Sequence, residues 1–512
     1  MMESCPGCDL LPWLVLPGLL VFLGYWYLTQ NHQHWKKQNV PSLPDPLPIF
    51  GHMLPVITLR DNIGTFAERL HWYNKDASML GFHFMGQPAL LVREAELVKI
   101  VLQANFSSFR SNLLQLSERN DPVLSKNPFF INEPGRWKET RMRIGSHLTG
   151  TKLGRLFVIV DQVVRQMKSF TDRRIGSNGF YECELKGYFV RCTGEVVANA
   201  AFAIHGQSFE DQPERLSFYE MAKTIFEPTT INGIKQALLF YLPAFGELLG
   251  VSFLQKSTDA FFRENVTAII KQRREQNASE PPSDFLQYCI DAAPEQDIDA
   301  IVADVIIFYM DMYETSSTSL ASIFYQLSRH PDIQAKLREH VTEVVQSEGD
   351  GRVTYESLKR MTYLDQVINE ALRILSPLGA LTKLCSEPIR LTGSDGITCE
   401  LRPGDPVFVS IQALHLDEKY WPDPERFDPD RFAAENEAQR NKMAFLVFGE
   451  GPRMCVGMRL GLMVVKMTIA NLLMNYQVEA SPKTKLPLEI DPTSIVSNVK
   501  GGLWARFQKL DQ

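Results

Sequence analysis

The chain has few cysteines and no excess of positive charge. Its 512 residues include eight Cys at scattered spacings, which do not fit a disulfide scaffold or a zinc module. The formal net charge is -7, whereas a nucleic-acid binder normally has a basic excess, so no nucleic-acid partner is expected. With 45% hydrophobic and 22% charged residues, the composition indicates a globular protein in a reducing compartment.

Long uncharged runs are also absent, with one exception near the start. Residues 10–28 read LLPWLVLPGLLVFLGYWYL, about 19 residues without charge, close to the ~20 that span a bilayer. Acidic residues precede this segment and Lys36 and Lys37 follow it, so the positive-inside rule predicts a luminal N-terminus and a cytosolic body. The alternatives are a hydrophobic core segment and a cleaved signal peptide, which would need a basic start and a small-residue cleavage site.

The chain therefore divides into three predicted regions. Residues 1–37 form the luminal N-terminus and a single transmembrane anchor, residues 38–51 a proline-rich elbow, and residues 52–512 one catalytic domain. The prolines of the elbow disfavour regular helix and strand. A plain solvated linker is an equally good interpretation of the same composition.

The body is predicted to be mainly α with a minor β component. Helical patterns cover residues 287–329, 361–375 and 457–476. Residues 388–409 contain short apolar runs separated by Gly and Pro, which predict small strands. No linker-like segment divides this part of the chain, so one large domain is expected.

The most specific segment is FGEGPRMCVG, at residues 448–457. Cys455 precedes a helical pattern, and the dipole and unpaired N–H groups of a helix N-terminus favour thiolate over thiol. The glycines permit close approach to a flat ligand, and Arg453 is placed to pair with a carboxylate of that ligand. The alternative is a buried structural cysteine in a glycine-rich turn. Six matched positions in fixed register favour a thiolate ligand to iron.

This loop resembles the haem-binding signature of the cytochrome P-450 superfamily, and the resemblance covers essentially the whole chain. It implies a cytochrome P-450 fold, haem b as the cofactor and Cys455 as the axial ligand of its iron. Phe448 and Arg453 are then expected among the haem contacts. Details such as PERFDPDRF are similar to the microsomal clan of insect and vertebrate xenobiotic-metabolising enzymes.

Two further pairs follow in the order that the family shows. Trp137 and Arg141 resemble its W-x-x-x-R helix, which implies that they bind a haem propionate. Glu370 and Arg373 resemble its E-x-x-R pair, and Arg431 is the implied third member, with a structural role. Taken alone, Glu370 and Arg373 share a helix face and are equally consistent with an ordinary surface ion pair.

The last matching segment is a long helical pattern at residues 301–328. One of its faces carries a stripe at i, i+3, i+4 and i+8, namely Ile307, Met310, Asp311 and Thr315. The resemblance places this stripe across the distal haem face, with Ile307, Met310 and Asp311 at the substrate pocket. It also makes Glu314 and Thr315 the catalytic acid–alcohol pair that helps to deliver protons during oxygen activation. A polar helix segment without a relay role is the alternative.

The chain departs from the family pattern at three positions. Asp311 and Met312 stand where the family usually has Ala and then Gly. Three interpretations of Asp311 remain open: an anchor for a basic or polar substrate group, a member of the proton relay, or a local hydrogen-bonding residue. We expect Met312 to increase the loss of reducing equivalents as peroxide. Lys383 replaces an Arg or His that contacts a propionate, so the charge is kept but the fork geometry is lost.

The resemblance implies a monooxygenase of the endoplasmic reticulum membrane that inserts one atom of O2 into a lipophilic small molecule. Phe and Leu are frequent in the regions expected to face the substrate, which are residues 117–132, 226–253, 375–381 and 495–499. Two other classes stay open. One is a haem-thiolate isomerase or dehydratase acting on preformed peroxides, and the other is a non-catalytic haem-binding protein.

The electrons must come from a partner, because the chain has no flavin or nucleotide-binding motif. The resemblance implies NADPH–cytochrome P-450 reductase, with NADPH used indirectly, and cytochrome b5 as a further partner. Four basic residues flank the motifs of the proximal side and are candidates for docking an acidic surface: Lys138, Arg143, Lys442 and Arg459.

Overall fold

The computed structural model describes residues 11–210, 220, 225–276, 284–292, 298–349 and 351–510. Helices account for most of the secondary structure in these residues. In chain order they are α1 Leu11–Thr29, α2 His34–Lys37, α3 Leu54–Ile57, α4 Ile63–Trp72, α5 Ala95–Lys99, α6 Pro134–Ser146, α7 Gly150–Arg174, α8 Leu185–Ala201, α9 Thr230–Phe240, α10 Pro243–Leu248, α11 Lys256–Gln276, α12 Phe285–Ala292, α13 Ile298–Arg329, α14 Pro331–Ser347, α15 Tyr355–Arg360, α16 Thr362–Ile374, α17 Ile411–His415 and α18 Met458–Asn475.

The strands form three small sheets. They are β1 Met79–Phe84, β2 Gln87–Val92, β3 Ser111–Asn112, β4 Phe180–Glu184, β5 Ala380–Leu384, β6 Ile389–Thr392, β7 Thr398–Leu401, β8 Pro406–Ser410, β9 Tyr476–Ala480 and β10 Trp504–Lys509. The largest sheet has the order β1-β2-β8-β5-β3, in which only β2 and β8 run parallel. The other two sheets are β4-β10-β9 and β6-β7. The prediction of a mainly helical body with a minor β component is confirmed.

Helix α13 runs through the core and is apolar around most of its circumference, as expected for a helix covered on all sides. Between residues 301 and 328, every side chain is buried except those of Asp311 and Thr315. These two are one turn apart and therefore lie on the same face of the helix. The only opening along the buried part of α13 is therefore at this face.

The proline-rich segment after α2 lies against the edge of the largest sheet. Isolated bridges join Ser42 to Gly81 and Gly51 to Phe84, so the segment follows β1. Trp35 is buried, and its indole N–H donates to the Phe82 carbonyl at 2.7 Å. Hydrogen bonds and packing therefore hold residues 35–51 against the largest sheet.

No helix among the residues that the structure describes is long and apolar enough to cross a membrane.

The helix bounds agree with the predicted patterns to within a residue or two at α16 and α18. The pattern at residues 287–329 corresponds to two helices, α12 and α13, and residues 293–297 between them lie outside the described part. The predicted small strands at 388–409 are β6, β7 and β8. Boundaries were predicted well where apolar periodicity was strong.

Candidate active site

A tight loop brings Cys455 to the start of α18. The backbone N–H of Cys455 donates to the Phe448 carbonyl at 2.8 Å, which closes the loop on itself. Gly451 has φ +76°, and a Cβ there would lie 2.0 Å from the carbonyl oxygen of Leu102. Glycine is therefore required at this position both for its conformation and for the approach of the neighbouring chain.

The Cys455 thiol lies deep in the protein but is accessible from an internal cavity. Burial and the negative charge of Asp311 raise its pKa, whereas the N–H groups of Gly457 and Met458 and the positive charge of Arg141 act in the opposite direction. The two N–H groups belong to the first turn of α18, where such groups have no partner within the helix. They stabilise a thiolate, so the loop presents a sulfur that is suited to bind a metal.

The cavity has a volume of about 320 Å³ and lies between the cysteine loop and α13. Cys455 lines it from the loop, and Asp311 and Thr315 line it from the open face of α13. Apolar side chains make up most of its wall. Among them are Ile307, Phe308, Leu372, Leu381, Val447 and Phe448. A thiol and a short polar stripe thus face each other across a largely apolar space.

Two arginines and a tryptophan lie at one end of this cavity. Arg453 donates to the carbonyls of Pro128 and Ile131 at 3.0 and 2.7 Å, and its guanidinium lies 4.8 Å from the centre of the Trp137 ring. Burial, together with the charge of Arg141, lowers the pKa of Arg453 to about 10. Its Nε is buried and has no partner among the described residues.

Arg141 lines the same cavity from α6. Burial lowers the pKa of its guanidinium, and the Cys455 thiol acts in the opposite direction. No hydrogen bond joins this guanidinium to another described residue. Arg141 and Arg453 therefore bring partly buried positive charge to the cavity, and part of this charge has no acceptor among the described residues. Such charge suits the carboxylates of a ligand.

Lys383 is near this end but does not line the cavity. Its register partner across β3 and β5 is Asn112, whose Oδ1 accepts from Lys383 Nζ at 2.8 Å. Burial lowers the pKa of Lys383 to about 7, with a further contribution from the charge of Arg453. Asn112 itself lines the cavity. At this point of the cavity wall the polar group is therefore the amide of Asn112, and Lys383 lies behind it.

The predicted acid–alcohol pair points in two directions. Thr315 faces the cavity, and its hydroxyl donates to the Asp311 carbonyl at 2.5 Å. Glu314 is buried outside the cavity lining. Its Oε1 accepts from Lys186 Nζ at 2.6 Å and from Asn498 Nδ2 at 3.1 Å, while Oε2 has no partner among the described residues. Adjacent residues of a helix diverge by about 100°, which explains the separation.

The other predicted substrate-pocket residues on α13 also differ in position. Ile307 and Asp311 line the cavity, whereas Met310 packs in the main hydrophobic core and does not. Met312, which the sequence singled out as a departure from the family pattern, does line it. Phe448 lines the cavity from the loop.

The charged pair on α16, Glu370 and Arg373, is fully buried. Arg373 donates to Glu370 at 2.7 and 2.8 Å, and Arg431 Nε lies 3.3 Å from Glu370 Oε1. Arg373 also donates to the carbonyls of His415 and Pro424, both at 2.7 Å. These contacts join α16 to the segment that leads to the cysteine loop, so the three charged residues form a structural cluster rather than a surface pair.

Several residues of the site carry no sequence signal that would have identified them. Asn112, Asn127, Lys186, His415 and Asn498 each bond to a predicted site residue from a distant part of the chain. Asn127 lies in the 117–132 region that was expected to face a substrate, but nothing in the local pattern distinguishes it from its neighbours. Only the fold brings these groups to their partners.

The chain matches a family model described as cytochrome P450 over residues 41–505. It is 28% identical to cytochrome P450 6k1 of Blattella germanica over 533 residues, and the match covers 99% of each chain. It is 30% identical to cytochrome P450 9e2 of Blattella germanica and also to probable cytochrome P450 6w1 of Drosophila melanogaster. Both of these matches cover 97% of this chain and 98% of the relative.

Proposed function

This chain belongs to the cytochrome P450 family and is a P450 monooxygenase, and we propose that it is anchored in a membrane, receives its electrons from NADPH–cytochrome P450 reductase and acts on lipophilic small molecules. The family implies a haem cofactor and, in general, lipophilic substrates. The observation that supports the proposal best is the Cys455 thiol facing the polar stripe of α13 across an apolar cavity.

The residues present fit a haem. Cys455 would hold the iron, and Arg141, Arg453 and Trp137 would hold the charged propionate end, because partly buried guanidinium groups with incomplete partners line the cavity. Lys383 would act on the propionates through Asn112, to which it donates. Bound through a thiolate, this cofactor supplies the activation of O2.

The protein supplies proton transfer and exclusion of water. Thr315 presents the hydroxyl that faces the cavity, and Glu314 is the neighbouring buried carboxyl, with one oxygen on Lys186 and the other without a partner in the described residues. We propose that Glu314 exchanges protons with the Lys186 side and that Thr315 orders the proton donor within the cavity. The apolar wall limits the entry of bulk water.

Carbon monoxide binding to the reduced, haem-loaded protein tests the thiolate assignment. We expect the red-shifted absorption band that thiolate ligation produces, and we expect Cys455→His to lose it while still binding haem. Cys399→Ser is the matched control, since Cys399 is buried away from the cavity lining. A red-shifted band in the Cys455→His variant would contradict the assignment.

Electron delivery is proposed to occur at the surface behind Cys455. Lys138, Lys442 and Arg459 are exposed there, whereas Arg143 pairs with the buried Asp304 at 2.7 Å and is poorly suited to docking. We expect charge reversal of the three exposed residues to lower NADPH consumption in the presence of reductase, and to do so most at low salt. Binding of cytochrome b5 to the same variants tests whether this partner docks at the same surface.

An N-terminal anchor is part of the proposal. Along α1, the side chains of Leu20, Val21, Phe22 and Tyr27 are each more than 60% exposed, so the protein body does not cover this part of the apolar helix. A membrane is the environment that would cover it, and we propose the endoplasmic reticulum membrane with a cytosolic catalytic domain. Deleting residues 1–37 should release the protein from alkali-washed microsomes, whereas a cleaved signal peptide predicts that the mature protein already lacks these residues.

A second candidate function is the isomerisation or dehydration of a preformed peroxide. It is favoured by Asp311 and Met312, which line the cavity where the family usually has small residues. The two functions differ in their need for electrons. Product formation that depends on NADPH and reductase supports the monooxygenase, and turnover of an organic hydroperoxide without either supports the alternative.

A further inference from the structure

The Asp311 carboxylate faces an internal cavity and not bulk water, and it has fewer protein partners than the carboxylates that the structure buries elsewhere. Those of Asp284, Asp304, Glu314 and Glu370 each lie 2.6–2.7 Å from an arginine or lysine nitrogen. Those of Asp121 and Glu195 instead accept two or more backbone N–H groups. This is the expected pattern, since a carboxylate removed from water is stable only when a cation or several donors replace the water.

In the part of the chain that the structure describes, the Asp311 carboxylate has one hydrogen-bond donor, and that donor is neutral. Its two oxygens accept from the same Asn127 Nδ2, at 2.9 and 3.2 Å. Asn127 is itself buried, and its Oδ1 accepts from the backbone N–H of Phe129 at 2.9 Å, which orients the NH2 group toward the carboxylate. The Thr315 hydroxyl donates to the Asp311 main-chain carbonyl and not to the carboxylate. Among the described residues, no lysine, arginine or histidine nitrogen lies within 4.0 Å of the Asp311 carboxylate.

The carboxylate faces the apolar cavity. Ile307 and Phe308 line the cavity within about one turn of Asp311 on the same helix. The other ionisable groups of the lining are Arg141, Asp304, Arg453 and Cys455. The two arginines are at the propionate end of the proposed haem site, and Asp304 already pairs with Arg143. The cavity therefore contains a carboxylate that can pair with a cation, and none of the positively charged side chains of the lining pairs with it.

Burial raises the pKa of Asp311 to about 6, and the hydrogen bond from Asn127 opposes the shift. The carboxylate is therefore ionised at neutral pH, at a cost in free energy that a bound cation would offset. Low polarity around a charge strengthens its attraction for an opposite charge.

We propose that Asp311 is the counter-ion for the ammonium group of the substrate, and that the cavity selects lipophilic amines, with the charged nitrogen at Asp311 and the apolar body against the surrounding wall. The inference rests on the proposed function, because it places the substrate in the same cavity as the haem. It adds to that function the class of substrate, which is an otherwise apolar molecule with one cationic nitrogen. The carboxylate acts in binding, and no bond is made or broken at Asp311.

The test compares two probes that differ only in charge: an arylalkyl trimethylammonium and its neutral tert-butyl analogue. The quaternary nitrogen has no lone pair, so it cannot bind the haem iron, and its charge does not change with pH. Binding to the full-length, haem-loaded protein is measured by calorimetry and by the absorbance change of the haem. We expect the cationic probe to bind at least about tenfold more tightly, a ratio that corresponds to about 1.4 kcal/mol.

In the Asp311→Asn variant we expect the preference for the cation to disappear, with less than about a twofold change for the neutral probe. If the Asn variant does not load haem, the same measurement is made on Asp311→Ser. Asp311→Glu keeps the charge and should retain a preference for the cationic probe. Equal losses for the two probes, or an unchanged preference in the neutral variants, would overturn the inference.

This outcome is separable from failure of the proposed function. Binding of the probes requires neither reductase nor NADPH. A wild-type protein that prefers the cation through Asp311 but shows no NADPH-dependent turnover would contradict the proposed function alone. Turnover of neutral substrates without a cation preference would contradict only the inference.

Discussion

His415 accepts a hydrogen bond at Nε2 from the main-chain N–H of Leu446, at 2.9 Å. Because Nε2 is the acceptor, the ring proton is on Nδ1, which lies 3.2 Å from the Arg373 carbonyl. Arg373 Nη1 in turn donates to the His415 carbonyl. The fully buried imidazole thus connects the Glu370–Arg373 cluster to the segment that begins the cysteine loop.

Replacing His415 by Phe should destabilise the protein and reduce its haem content. The variant leaves a buried N–H at Leu446 and a buried carbonyl at Arg373 without partners, which we expect to lower the free energy of unfolding by about 3 kcal/mol. Chemical denaturation and the haem-to-protein absorbance ratio measure the two effects. His205→Phe is the control, since the His205 side chain is 54% exposed. Equal behaviour of the two variants would argue against the connecting role.

Gly451→Ala should prevent correct formation of the cysteine loop. The added Cβ would collide with the Leu102 carbonyl, and the φ of +76° is unfavourable for alanine. We expect loss of the red-shifted carbon monoxide band, or of haem altogether. Gly154→Ala is the control on α7, outside the cavity lining, where the nearest atom to a new Cβ is Tyr355 Cδ1 at 3.9 Å. This variant should retain the band and gain up to about 1 kcal/mol of helix stability.

His147→Leu should stabilise the protein. The imidazole is completely buried, and neither ring nitrogen has a partner among the described residues. An unpaired buried polar group costs about 1–3 kcal/mol, and leucine fills a similar volume. A higher midpoint in urea at pH 7 checks this prediction.

The increase in the free energy of unfolding that His147→Leu produces should be larger at acidic pH. Burial, with the charges of Lys152 and Arg143, lowers the pKa of His147 to about 4 from its ordinary 6.5. The unfolded chain therefore binds a proton between these pH values while the folded chain does not, so the wild type loses stability as the pH falls from 6.5 toward 4. At pH 5 the gain should exceed that at pH 7 by about 2 kcal/mol.

A loss of stability in the same variant would contradict this prediction. It would indicate that the ring binds a metal ion together with Cys289 and Asp304, whose ligand atoms lie within 4.8 Å of it.

Met312→Gly should raise the coupling of electron use to product. Met312 lines the cavity on α13, where a smaller residue would leave room for oxygen and its water. We expect less hydrogen peroxide per NADPH consumed than in the wild type. Met310→Gly is the matched control, because it makes the same change in the same helix at a position that packs in the core. Each variant should lose about 1 kcal/mol or more of stability from glycine in a helix, and equal peroxide yields for Met312→Gly and the wild type would contradict the prediction.

Much of the helical framework was predictable because its signals are local. Helix α16 follows apolar periodicity, and the loop at 448–457 contains Gly449 and Gly451, whose positive φ only glycine accepts readily. Glu370 and Arg373 were paired by their spacing of three on one helix, and their bond of 2.7 Å follows from that spacing.

Burial was less predictable, because one helical pattern is compatible with several neighbours. The stripe of Ile307, Met310, Asp311 and Thr315 was correct as a helical face, yet Met310 packs in the core while Met312, which is outside the stripe, lines the cavity. The width of the opening depends on which elements pack beside α13, and periodicity carries no information on that.

The sequence by itself determined that this chain belongs to the P450 family and that Cys455 lies in a tight glycine-rich loop, because that loop is encoded by neighbouring residues with strict conformational requirements. The tertiary structure alone decided what the Glu314 and Asp311 carboxylates contact. Glu314 bonds to Lys186 at 2.6 Å, and within the described part of the chain the Asp311 carboxylate bonds only to the amide of Asn127. These partners are more than a hundred residues apart in the chain, and the charge state of a buried carboxylate depends on such contacts and on the loss of water, neither of which is local.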